Sequence, residues 1–152
     1  MTMAVKDADG ALFIDTNTLV YANVLEAPFH DQALAAINTA RESGRTLWLS
    51  RQVIREYMAT LTRPQAFSAL PKATVLAQVG QLIDQFEVAD DTAAVTNQLL
   101  ALMGNYAIGG KQVHDANIVA TMLVYDIPCL LTHNTKDFER FGDIVRVEGF
   151  TD

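Results

Sequence analysis

Leu12-Phe13-Ile14-Asp15-Thr16-Asn17 decides the reading of this chain. Ala11 to Ile14 is a short apolar run, of the kind expected of a strand buried on both faces. An acid then follows at once, and Thr18 to Val24 has the pattern of a short helix. The same alternation recurs outward along the sequence. Helices are expected over His30–Arg41, stopped by Ser43-Gly44, then over Arg51–Leu61, Lys72–Phe86, from Asp90 or Asp91 to about Tyr106, and over Gln112–Tyr125. Strands are expected at Thr46–Leu49, Glu87–Ala89, Pro128–Thr132 and Ile144–Val147, with a short helix over Asn134–Phe141. Ser50 is placed to cap the helix that carries the apolar stripe Val53, Ile54, Tyr57, Met58 and Leu61. Strands alternating with helices predict an α/β fold with a central parallel sheet.

Composition narrows the class. The chain has 152 residues, half of them apolar and 19% charged, with a formal charge of −7. That length suits one domain, expected over residues 11–150 behind a flexible tail at 1–10. The single Cys129 excludes an internal disulfide, and His30, His114 and His133 lack the spacing of a zinc motif. The N-terminal stretch lacks the apolar core of a signal peptide, and no run is long enough to span a membrane, so a cytoplasmic protein is expected. The acidic balance argues against binding nucleic acid by charge alone. Gly109-Gly110 belongs to no phosphate-cradling motif.

The informative question is where the acids fall. In open parallel sheets, ligands bind beyond the carboxyl ends of the strands. Asp15 ends the first strand; Asn134 and Asp137 follow the strand at Cys129–Leu131; Glu56 lies just under two turns into the helix after the second strand. Asp115 has Ile118, Val119 and Met122 at helical spacing, so it lies on or beside a stripe that should be buried. An unpaired carboxylate there is costly unless it takes up a proton or meets a cation. Carboxylates without Cys or His form a ligand set for Mg²⁺ or Mn²⁺.

Each acid also has a structural reading. Asp15 suits an Asx-turn, Asp115 a helix N-terminus, Glu56 a solvated position or a pair with Arg55, and Asn134 with Asp137 a capping arrangement. A shared site explains all of them together.

The motifs resemble those of PIN-domain ribonucleases. Phe13-Ile14-Asp15-Thr16-Asn17-Thr18-Leu19-Val20-Tyr21 is similar to that family's opening motif. Ser50 to Tyr57, around Glu56, resembles the second. Gly110 to Ala120, around Asp115, resembles the third, and Leu131 to Phe138, with Asn134 and Asp137, the fourth. Within the family the likeness is nearest to VapC-like toxins of bacterial type II toxin–antitoxin pairs.

The resemblance implies a three-layer α/β/α domain and a Mg²⁺- or Mn²⁺-dependent endoribonuclease. It implies a small cognate antitoxin and a homodimer. Asp15 and Asp115 would hold the main metal ion, with Glu56 and Asp137 completing the pocket. Thr16, Asn17, Thr132 and Asn134 are supporting candidates. Arg51, Arg55, Lys111 and Lys136 are candidates for the RNA backbone. The rivals are a metal-dependent phosphatase or phosphoacceptor domain, disfavoured because Asp15 and Asn17 lack the usual second Asp, and a non-catalytic binding module.

Overall fold

The computed structural model describes residues 10–64 and 70–150. The tail expected at 1–10 therefore lies outside the described residues except for Gly10, and so does most of the turn expected between Pro64 and Pro71.

The chain runs β1 (Leu12–Ile14), α1 (Thr16–Asn23), α2 (His30–Glu42), β2 (Leu47–Ser50), α3 (Arg51–Leu61), α4 (Lys72–Gln85), β3 (Glu87–Ala89), α5 (Ala93–Asn105), α6 (Gln112–Val124), β4 (Cys129–Leu131), a 3-10 helix (Thr135–Phe141) and β5 (Arg146–Glu148). All four strand pairings are parallel, in the order β3-β2-β1-β4-β5. The central strands β1 and β4 are buried at every residue, which is why their sequences are unbroken apolar runs.

The strand order fixes the layers. From β1 the chain steps outward to β2 and β3, then returns across β1 to β4 and β5. Right-handed crossovers put connections that travel in opposite directions on opposite faces. So α1 to α4 cover one face, while α5, α6 and the 3-10 helix cover the other. The packing agrees: α1 meets α2 and α3, α3 meets α4, and α6 meets α5 and the 3-10 helix. The order reverses between β1 and β4, so the crevice for a ligand opens beyond Ile14 and Leu131. Among the described residues no helix is long and apolar enough to cross a membrane.

Local chemistry corrects several boundaries. The first helix begins at Thr16, not Thr18, because the Asp15 side chain already caps it by accepting from the Thr18 backbone N–H at 3.0 Å. The helix expected to start from Asp90 or Asp91 is capped by Thr92, whose side chain accepts from Val95. Asp90 and Asp91 instead face Arg51 and Arg55. The last strand is Arg146–Glu148, not Ile144–Val147, because the N–H groups of Ile144 and Val145 both donate to the Phe141 carbonyl and close the 3-10 helix. The short helix expected after β4 is present as a 3-10 helix. Ser50 caps α3 as expected, accepting from Val53 at 3.2 Å.

Candidate active site at the sheet switch point

Asp15 stands where the strand order reverses, and it is buried to 6% exposure. Two segments hold its carboxylate. Oδ1 accepts from the Thr18 N–H at 3.0 Å, and Oδ2 accepts from the Thr132 hydroxyl at 2.5 Å. The Thr132 oxygen in turn accepts from the Asn134 N–H at 3.0 Å. The turn after β4 is thus fastened to the end of β1, and Asp15 has its orientation fixed from both sides. The carboxylate caps α1, and each of its oxygens keeps a further lone pair.

Glu56 is held from above and below. Its Oε1 accepts from the Thr16 hydroxyl at 2.7 Å, and its Oε2 accepts from the Gln52 amide at 3.1 Å. Gln52 is itself buried. Its amide nitrogen also reaches the His114 carbonyl at 2.9 Å, and its oxygen accepts from Asn117 at 2.8 Å. Gln52 therefore ties α3 to the first turns of α6, next to Asp115. Sequence reading did not single out Gln52 or Asn117. The available signal was a polar residue inside each apolar helix, at i−4 from Glu56 and i+2 from Asp115.

The four acids meet around one cleft of about 490 Å³. Its lining includes Asp15, Thr16, Asn17, Glu56, Asp115, Asn134 and Asp137, with Arg63 and Lys111 as its cations. Thr132 lies behind Asp15, below the surface. Ile118 and Phe138 supply the apolar wall. Arg63 was not among the sequence candidates. Arg51 and Arg55 do not line the cleft: Arg51 donates to Asp90 at 3.0 Å and Arg55 lies 3.8 Å from Asp91. Lys136 lies outside it as well, beside Glu139 and Arg140. Arg140 also donates to the Ala107 carbonyl, which fastens the loop carrying Lys111 to the 3-10 helix.

Crowded acids should resist ionisation. Burial pushes the Asp15 carboxyl up, and the Thr132 and Thr18 hydrogen bonds and the His133 charge offset part of that. Asp115 is pushed up to about 6 by burial first, then by the charges of Asp137, Asp15 and Glu56. The field at Asp115 thus comes from the other three acids. Among the described residues no group of three or more His, Cys, Asp or Glu side chains stands close enough together to hold a metal ion. The acids line an open cleft without forming a closed ligand set.

Residues 12–144 match the family described as PIN domain. The chain belongs to the PIN-domain family. Solved structures with the same fold include VapBC2 of Rickettsia felis bound to a promoter DNA fragment, at 19% identity and TM-score 0.69, covering 93% of this chain and 99% of that one. DNA-bound VapBC of Salmonella typhimurium is similar at 21% identity and TM-score 0.67, covering 93% and 98%. VapC20 of Mycobacterium tuberculosis, a sarcin–ricin loop cleaving toxin, aligns at 19% identity and TM-score 0.63, covering 79% and 87%. At these identities the likeness is one of fold. No curated protein sequence is matched. The fold expectation, an α/β PIN domain around a parallel sheet, holds over nearly the whole chain. In this PIN domain the acids from the four quoted motifs come from four separate segments of chain and share one cleft.

Proposed function

We propose that this PIN domain is a divalent-metal-dependent endoribonuclease and the toxin of a type II toxin–antitoxin pair. The observation that carries the nuclease reading is the convergence of Asp15, Glu56, Asp115 and Asp137 on one cleft, with Asp115 pushed up to about 6 by burial and then by its acidic neighbours. A bound cation relieves that repulsion. Oxygen-only donors lining an open cleft suit Mg²⁺ or Mn²⁺, which keep waters and accept substrate oxygens at their open positions.

Asp15 and Asp115 would hold the ion, with Glu56 and Asp137 contributing directly or through water. When bound, the metal lowers the pKa of a coordinated water and offsets charge on the phosphate. The chain's own residues supply the rest. Thr132 and the Thr18 N–H fix the Asp15 carboxylate. Thr16 and Gln52 hold both oxygens of Glu56, leaving it oriented toward the cleft. Lys111 and Arg63 line the rim and meet the phosphates that flank the cut. Asn17 and Asn134 present neutral polar groups to the same space. Water is the nucleophile and the 3′ oxygen leaves, so no side-chain nucleophile is required.

The toxin assignment, with a small antitoxin and a homodimer, rests on the fold likeness to VapBC complexes. RNA as substrate is supported by the likeness to a toxin named for cleaving the sarcin–ricin loop. The decisive assay is cleavage of total RNA by purified protein with Mg²⁺ or Mn²⁺. Asp15→Ala and Asp115→Ala should abolish cutting while circular dichroism stays unchanged. Equal cutting in excess EDTA, or activity in both variants, overturns the nuclease mechanism. Growth arrest on induction, relieved by a neighbouring small reading frame, tests the toxin assignment; absence of arrest overturns it.

A further inference from the structure

Beside the cleft stands a group of rings that the acidic chemistry does not use. His133 lies between Thr132, which holds Asp15, and Asn134, which lines the cleft. Its ring is 4.4 Å from that of Phe29 at an interplanar angle of 31°, a near-stacked pair. Tyr21 stands edge-on to His133 at 5.6 Å and tilted to Phe29 at 5.8 Å, and Phe150 closes the group at 6.0 Å from His133. The rings come from α1, the residue that precedes α2, the turn after β4 and the segment just past β5. They gather at the strand ends where Asp15 sits.

Phe29 is the unusual member. It has φ 59° and ψ 18°, a left-handed conformation rare for a bulky residue. The backbone is held there by its surroundings: the Phe29 carbonyl accepts from Ala33, and His30 donates to the Tyr21 carbonyl at 2.8 Å. Yet the ring so placed is 37% exposed. Strain of this kind persists where a particular presentation is required. Here it lays an aromatic face against His133 and leaves part of that ring in water.

We propose that Phe29 and His133, backed by Tyr21 and Phe150, form a stacking platform for one nucleobase of single-stranded RNA adjoining the phosphate in the acidic cleft. This rests on the nuclease reading above and adds how the substrate is selected. A base is the fitting occupant because the platform offers π-faces next to a phosphate-handling site. Aromatic side chains next to a backbone site are how proteins hold unpaired nucleotides. The acidic chain gains little from phosphate attraction, so stacking supplies affinity that charge does not. A single platform beside the cut grips one flanking nucleotide, with a modest preference set by stacking strength, and leaves more distant ones unread.

The test separates stacking from catalysis. The background is Asp115→Asn, which removes one cleft charge and stops cutting. Short single-stranded RNAs carrying 2-aminopurine at successive positions are titrated against this variant. Quenching is expected at one position, and adding Phe29→Leu should weaken affinity about 5- to 100-fold, the range of losing one stacked base, with Phe29→Trp restoring it. In active protein, Phe29→Leu should raise KM more than it lowers kcat and relax the base preference beside the cut. Should Phe29→Leu fail to fold by circular dichroism, His133→Leu takes its place with the same expectation. Position-independent quenching, or unchanged affinity and cut sites in the leucine variant, overturns the platform. Wild type that leaves RNA intact with metal, while Asp115→Asn still shows the single quenched position, overturns the nuclease reading and keeps the platform.

Discussion

Replacing Asp115 by Asn is expected to stabilise the metal-free protein while destroying its chemistry. The Asp115 carboxyl is raised from 3.8 to about 6, by burial first and then by Asp137, Asp15 and Glu56. One unit corresponds to about 1.4 kcal/mol, so the ionised form carries an upper limit of about 3 kcal/mol. Asp115 is only half-buried, and water screens part of the repulsion, leaving about 1–2 kcal/mol. The sign follows from proton binding. The folded state holds this proton more tightly than the unfolded state, so stability is lost as pH rises from 3.8 through about 6 and stays lost above. Asn keeps the shape and removes the charge. With EDTA at pH 8, Asp115→Asn should therefore melt about 2–8 °C higher than wild type. By pH 4.5 the gain in free energy should shrink to about a third of its pH 8 value. Differential scanning calorimetry at both pH values measures this. A variant no more stable than wild type at pH 8, or a gain that ignores pH, refutes the claim that the four acids repel one another in the folded state.

Three further outcomes follow from the same geometry. Mg²⁺ affinity by calorimetry should fall about tenfold per pH unit below about 6, where ion and proton compete for Asp115, and level off above pH 7; a flat profile from pH 5 to 8 removes Asp115 from the ligand set. Thr132→Val removes the hydroxyl donated to Asp15 Oδ2 at nearly constant shape, and should cost about 1–3 kcal/mol in urea unfolding, with Thr132→Ser much closer to wild type. Gln52→Leu leaves Asn117, the His114 carbonyl and one Glu56 oxygen without their partner; cleavage should drop at least tenfold, and stability should fall by about 1–2 kcal/mol. Unchanged kinetics in Gln52→Leu would show that Glu56 needs no orientation from α3.

The parts of the fold legible in sequence are those where one physical demand dominates. β1 and β4 are buried on both faces, and only an apolar run satisfies that, so both could be located from composition alone. Asp115 was legible because a charge three and four residues from Ile118 and Val119 contradicts its own helix face. What escaped depends on partners far along the chain. Gln52 looks like any helix glutamine until its partners 62 and 65 positions away are known. Arg51 and Arg55 sit one turn apart on α3 and resemble phosphate-binding residues. The fold turns them instead toward Asp90 and Asp91 after β3, an arrangement no local pattern encodes. The boundary of β5 escaped for a related reason. Ile144 and Val145 have strand-like side chains, but their N–H groups are taken by the preceding 3-10 turn.

The switch-point architecture also sets when activity can begin. Asp15 follows the first strand and Asp137 the fourth, and β4 must slot in beside β1 before Thr132 can reach Asp15. A growing polypeptide therefore carries Asp15 and Glu56 well before Asp115 and the Thr132–Asp137 segment join them. The cleft closes only after the Thr132–Asp137 segment has left the ribosome and docked. A PIN domain of this topology therefore gathers its acids only as a late step of folding, once the fourth strand has found the first.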